Sequence, residues 1–143
     1  MVSEGGPAPR VESRIDTSTF VDSICDGANK IAQDLGAHVL VTFTKTGRTA
    51  LFMSRYRPKV SVVAVTDDVR TVRRMSIYRG VEPILVTSVE RSEELVAATE
   101  QEIMKRKLAR SGDVAVMVGG SNLSTRGNVN SLKIRRIGSA NEA

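Results

Sequence analysis

The chain reads as an α/β protein: a mixed β-sheet between layers of helix, α/β/α. Three observations carry this. Four short apolar runs of strand length, at 38–43, 60–65, 81–86 and 114–118, alternate with segments whose apolar residues recur at helical spacing. The first two runs are apolar almost throughout, as strands covered on both faces must be. Strand–helix alternation of this kind gives parallel strands joined by helical crossovers, with helices on both faces. At 143 residues the chain suits one domain. A chain of that size buries roughly two-thirds of the surface its unfolded form exposes, so it needs no disulfide staples.

Taken in order, Val21, Ile24, Cys25, Ala28, Ile31, Ala32 and Leu35 fall at helical offsets and form one buried stripe over 19–35. Thr19 followed by Asp22 has the spacing of a capping box, and Gly36 suits the C-terminal stop. Cys25 lies on the stripe and reads as core, not as a nucleophile. The first strand is 38–43. A second helix over 49–56 ends before Pro58, because the residue before proline resists the helical conformation. The second strand, 60–65, leads into Thr66-Asp67-Asp68, which offers a cap for a third helix over 68–78. The third strand is 81–86.

A long helix over 92–108 follows. Glu93 and Glu94 at its start and Lys105, Arg106 and Lys107 at its end both complement the helix dipole. Ser111-Gly112-Asp113 turns the chain into the fourth strand, 114–118, and a polar, glycine-containing loop over 119–129 leads to a fifth, 130–137. That loop is too short for a helical crossover, so the fifth strand should run antiparallel. Polar residues 1–17 and 139–143 read as tails, leaving one domain over 18–138.

The lone Cys25 has no internal disulfide partner, which suits a reducing compartment, and no apolar run approaches the roughly 20 residues of a membrane span. The expectation is a cytoplasmic protein without a membrane partner. The net charge of +5 is uneven: residues 45–79 hold nine basic and two acidic groups, a local +7. A field of that sign draws phosphorylated ligands or nucleic acid, although charged faces are often simple solvated surface.

That basic segment opens on the most informative stretch. The strand Val39-Leu-Val-Thr-Phe43 stops at Thr44, Lys45, Thr46, Gly47, Arg48 and Thr49, and a helix begins at once. Three hydroxyls, two cations and free backbone N–H groups converge beside a helix N-terminus, an arrangement that suits a phosphate. The spacing is not the G-x-x-x-x-G-K-[ST] of an ATP-binding loop. From these residues alone, an anion site and an ordinary threonine-capped turn stand about level.

Three blocks lift that balance. GRTALFMSRYRPKVSVVAVT from Gly47, MSIYRGVEPILV from Met75 and SGDVAVMVGG from Ser111 closely resemble, in order and spacing, the C-terminal domain of pyruvate kinase. The resemblance covers about 18–138. It implies a five-stranded sheet of order 3-2-1-4-5 with the fifth strand antiparallel. Strands one and four then flank a topological switch point, where a crevice opens beyond the strand ends. In the family this crevice is the allosteric effector site for sugar phosphates or simpler phosphorylated activators. The resemblance places Thr44, Lys45, Thr46, Gly47, Arg48 and Thr49 on one side, and Gly120, Arg126 and Gly127, in GGSNLSTRGNVN, on the other. Arg126 stands where a second phosphate could be met, but it does not align cleanly with the family's arginine.

The resemblance also implies homo-oligomers, dimers included, with these domains in contact. The family's phosphoryl transfer, its magnesium and its potassium belong to a separate barrel of well over 200 residues, which 143 residues cannot hold. The expectation is therefore a regulatory domain, an excised fragment or a stand-alone relative, with no catalytic residue, no cofactor and no metal of its own, and with a catalytic barrel in cis or in trans as a partner. Competing readings are a basic nucleic-acid-binding module, and a stand-alone small-molecule-binding protein using the same crevice. Only five aromatics are present for base stacking, and no acid–base pair stands out. His38 reads as structural.

Overall fold

The computed structural model describes residues 17–87, 92–119 and 131–138. Its elements are α1 (Thr17–Leu35), β1 (Val39–Phe43), α2 (Arg48–Arg55), β2 (Ser61–Thr66), α3 (Val69–Met75), β3 (Val81–Leu85), α4 (Ser92–Lys105), β4 (Val114–Gly119) and β5 (Ser131–Arg136). They form a single five-stranded sheet, order β3-β2-β1-β4-β5. β1 pairs in parallel with β2 and with β4, β2 in parallel with β3, and β4 antiparallel with β5. The expected topology is present, strand for strand.

Handedness distributes the helices. From β1 the chain steps outward through β2 to β3, then returns past β1 to β4. Right-handed crossovers therefore place α2 and α3 on one face and α4 on the other. The packing agrees. Leu40, Val62, Ala64, Val116 and Val118 pack with Val21, Cys25 and Ala28 of α1, Ala50 and Met53 of α2 and Met75 of α3. Val39, Val41, Val63, Val65, Ile84 and Met117 pack with Leu95 and Ile103 of α4. Helix α1 covers the part of the first face over β1 and β4 that α2 and α3 leave open. The doubly covered valines explain why these strands read as continuous apolar runs. Each fully buried side chain of this size contributes about 1.5–3 kcal/mol of transfer free energy.

Local chemistry sets the ends. Helix α1 stops in a Schellman turn at Gly36 (φ +64°), with Ala37 N–H donating to the Ala32 carbonyl and Gly36 N–H to that of Gln33. Helix α4 stops the same way, three residues earlier than its sequence pattern suggests. Lys107 takes the left-handed position (φ +61°), and Leu108 and Lys107 donate to Ile103 and Met104. Helix α3 is also shorter than read, because the chain turns at Ser76. Asp68 is its cap: its carboxylate accepts from Arg70 N–H at 2.8 Å, and the Arg70 guanidinium beside it holds the carboxyl below the usual carboxylate range. Thr19 is not a cap, because α1 already runs from Thr17. Asp22 instead accepts the Tyr56 hydroxyl at 2.7 Å, tying the end of α2 to α1. That hydrogen bond, more than any burial, pushes the Tyr56 phenol up to about 12.

Cys25 is fully buried, its thiol 3.8 Å from the Thr49 carbonyl, and burial pushes it up to about 12. It is a core residue, as its stripe position predicts. His38 lies 3.8 Å from Asp113 at the opposite end of the sheet from the 44–49 loop. The fully buried Glu100 of α4 takes Arg135 Nε of β5 at 2.8 Å and Gly138 N–H at 3.0 Å, fastening the antiparallel edge strand to the helix behind it. No helix among the described residues is long and apolar enough to cross a membrane. Of residues 1–17 and 139–143, read as tails, Thr17 opens α1 and the rest lie outside the described residues.

Candidate functional site

The site candidates sit where β1 ends. Thr44 N–H still donates to the Val65 carbonyl at 2.9 Å, so the ladder to β2 runs one residue past β1. The chain then turns sharply. Gly47 is at φ +88°, a conformation costly for any residue with a Cβ, and an added Cβ would stand 3.1 Å from Met75 Cγ. The backbone requires glycine here, and Met75 of α3 would also have to shift by a few tenths of an ångström to admit a side chain.

The hydroxyls divide by role. Thr44, nearly buried, accepts Gly47 N–H at 2.9 Å and holds the turn from inside. Thr49 is also nearly buried, in the first turn of α2. Thr46 is exposed and accepts Arg48 N–H at 3.3 Å, a long and readily displaced bond. Lys45, Thr46 and Arg48 are therefore the members of the loop that face outward.

Two residues absent from the sequence-based site brace this loop from α3. Thr71 donates its hydroxyl to the Lys45 carbonyl at 2.7 Å, and Arg74 donates to the Thr46 carbonyl at 2.6 Å. A third meets the lysine itself: Lys45 Nζ lies 2.7 Å from Asp67 Oδ1, and both side chains are partly exposed. Only Asp67-Asp68 left a trace in the sequence, as a helix cap. Asp68 fills that role, and Asp67 turns to Lys45.

Lys45 and Asp67 line a cleft of about 480 Å³ over the ends of β2 and β3, together with Asp68, Arg70, Leu85 and Thr87. On the other side of the loop lies the switch point. Thr42 of β1 is level with Val118 of β4, and a Cβ on Gly119 would stand 3.1 Å from the Phe43 ring. Gly119 and Ser131 are cross-strand partners, and the Ser131 hydroxyl donates to the Gly119 carbonyl at 2.8 Å. Gly119 thus stands beside Phe43, the last residue of β1 before the 44–49 loop, and Ser131 lies one strand further out. Gly120, Arg126 and Gly127 lie outside the described residues.

The sequence model of the family described as pyruvate kinase, alpha/beta domain, matches residues 22–135. The chain belongs to that family. Among its relatives, a pyruvate kinase of Dictyostelium discoideum is 33% identical over 120 residues, and one of Clostridium acetobutylicum is 32% identical over 114. These matches cover 84% and 80% of this chain, and 24% of each relative. A pyruvate kinase structure from Cryptosporidium parvum, solved in complex with ADP, superposes with a TM-score of 0.76 at 31% identity, covering 89% of this chain and 25% of that one. The chain thus spans about a quarter of the length of the pyruvate kinases it matches, their α/β domain. Among the described residues, no three His, Cys, Asp or Glu side chains cluster so as to hold a metal ion.

Proposed function

We propose that this domain is the regulatory part of a pyruvate kinase-type protein of glycolysis, working in the cytoplasm. It binds a phosphorylated small molecule, a sugar phosphate or phosphate itself, between the 44–49 loop and the segment 120–130. It has no turnover of its own. Phosphoryl transfer belongs to a barrel in the same protein or in a partner. Subunits meet through this domain, and the edge of β5 is the contact surface.

The observation that carries the reading is a braced loop that leaves β1 at the topological switch point of the sheet, with Thr46 and Arg48 exposed on it and Lys45 on its β2 side. Charge-assisted hydrogen bonds to phosphate contribute about 1.5–3 kcal/mol each, and several together support micromolar binding after the cost of ordering. The nucleic-acid reading is weaker. The aromatics of the basic segment, Phe52, Tyr56 and Tyr78, are partly buried against the core, and Phe52 has Arg48 at 5.6 Å and Arg55 at 5.3 Å from its ring centre, which leaves few open platforms for base stacking.

Calorimetry with fructose 1,6-bisphosphate and ribose 5-phosphate tests this. Lys45→Ala and Thr46→Val should each weaken binding by about tenfold or more, the loss of one charge-assisted contact. Arg126→Ala should weaken the bisphosphate and leave the monophosphate unchanged. Absence of binding by the unmutated protein, or binding indifferent to Lys45 and Thr46, overturns the effector site.

A further inference from the structure

Resting on that reading, we propose that Asp67 is the residue that sets which phosphate esters the site accepts. It favours esters that carry a hydroxyl close to the phosphate and disfavours those that do not. The carboxylate enters from the β2–α3 connection, 22 residues away in sequence, and holds Lys45 Nζ at 2.7 Å. A phosphate that recruits Lys45 competes with this partner for the ammonium or shares its three N–H donors with it. Either way Asp67 holds its cation less fully, and the span of one ammonium group separates the carboxylate from the arriving dianion. At about 4–6 Å and a near-surface dielectric, two like charges repel strongly enough to weaken binding about tenfold or more.

A ligand hydroxyl cancels that penalty. It donates to Asp67 in place of Lys45, a charge-assisted hydrogen bond comparable to the one given up. The cleft of about 480 Å³ beside Lys45 gives such a ligand room, and Asp67 lies on its wall together with Asp68, Arg70 and Thr87. Asp68 does not substitute for Asp67, because it is held by Arg70 and caps α3. Arg70 is accordingly not the free cation that would hold Asp67 once Lys45 leaves. The ligand class is a phosphate monoester of a polyol, with the phosphate on the loop and a neighbouring hydroxyl on Asp67.

Two esters separate the alternatives: butyl phosphate, which has no hydroxyl, and ribose 5-phosphate, each titrated at pH 8 into the unmutated chain, Asp67→Asn and Lys45→Met, with folding checked by circular dichroism. The unmutated chain should prefer ribose 5-phosphate by at least about tenfold, the size of the like-charge penalty. Asp67→Asn should narrow that preference to about threefold or less, mainly by tightening butyl phosphate, because the amide removes the charge and keeps the shape. Lys45→Met should weaken both esters. If both esters bind through Lys45 but Asp67→Asn leaves their ratio unchanged, the role of Asp67 is overturned and the anion site stands. If neither ester binds any of the three, or Lys45→Met has no effect, the anion site fails and this role fails with it.

Discussion

At the residue scale, the loop's threonines show that one residue type at one spacing can serve opposite ends. Thr44 turns inward to build the bend, whereas Thr46 stays outside with a weak bond to Arg48 N–H. Thr42 is a different case. It lies on the same face of β1 as Leu40, is fully buried, and its hydroxyl is the buried side-chain polar atom without a hydrogen-bond partner among the described residues. A buried hydroxyl of that kind costs about 1–3 kcal/mol relative to an apolar isostere. Thr42→Val keeps the shape and should stabilise the domain by about 1 kcal/mol, raising the thermal midpoint by about 2–4 °C in a calorimetric scan. A lowered midpoint would show that the hydroxyl has a partner after all. That the orphan existed was not legible in the sequence, where Thr42 is one more residue in an apolar run.

At the element scale, the strands were legible and the helix ends less so. Continuous valine-rich runs have one explanation, burial on both faces, and β1, β2 and β4 answer to it. Helix ends depend on backbone geometry that several sequences satisfy. Gly36 ends α1 as its residue type suggests, but α4 ends on Lys107, a side chain that favours continuing a helix. Left-handed backbone costs a residue with a Cβ about 1–2 kcal/mol, and glycine avoids that at the expense of unfolded-state entropy. Lys107→Gly should therefore stabilise the domain by about 0.5–1 kcal/mol, read as a higher urea midpoint at unchanged slope. A destabilised variant would mean that the lysine side chain itself holds the helix end.

At the scale of the whole molecule, β5 closes one edge of the sheet, with β4 on one side of it and no strand on the other among the described residues. Leu35 and Ile134 are about half exposed beside it, at 49% and 53%, and line an open groove of about 540 Å³ with Val114 and Arg136. This unpaired edge next to exposed apolar side chains is the surface proposed above for contact with a second copy. Sedimentation equilibrium should show a dimer. Ile134→Glu should shift it to monomer, because it places a carboxylate on each side of the contact. A monomer at every concentration removes the proposal. The same preparation, assayed with phosphoenolpyruvate and ADP, should match buffer, and turnover that follows the protein through purification would contradict the regulatory role.

The sequence by itself determined the layer order, the five strands, the antiparallel edge and the family. Each follows from short-range pattern: apolar run length, loop length, and motif blocks read in order. It also placed the loop of Thr44, Lys45 and Thr46 beyond the first strand. Tertiary structure alone decided what those residues meet. Lys45 finds Asp67, the Thr46 carbonyl finds Arg74, Asp22 finds Tyr56, and Glu100 finds Arg135, over separations of 22 to 35 residues. No periodicity reaches that far. These partners are set by how helices seat on a twisted sheet, so the chemistry of the site became readable only once α3 was packed beside the loop.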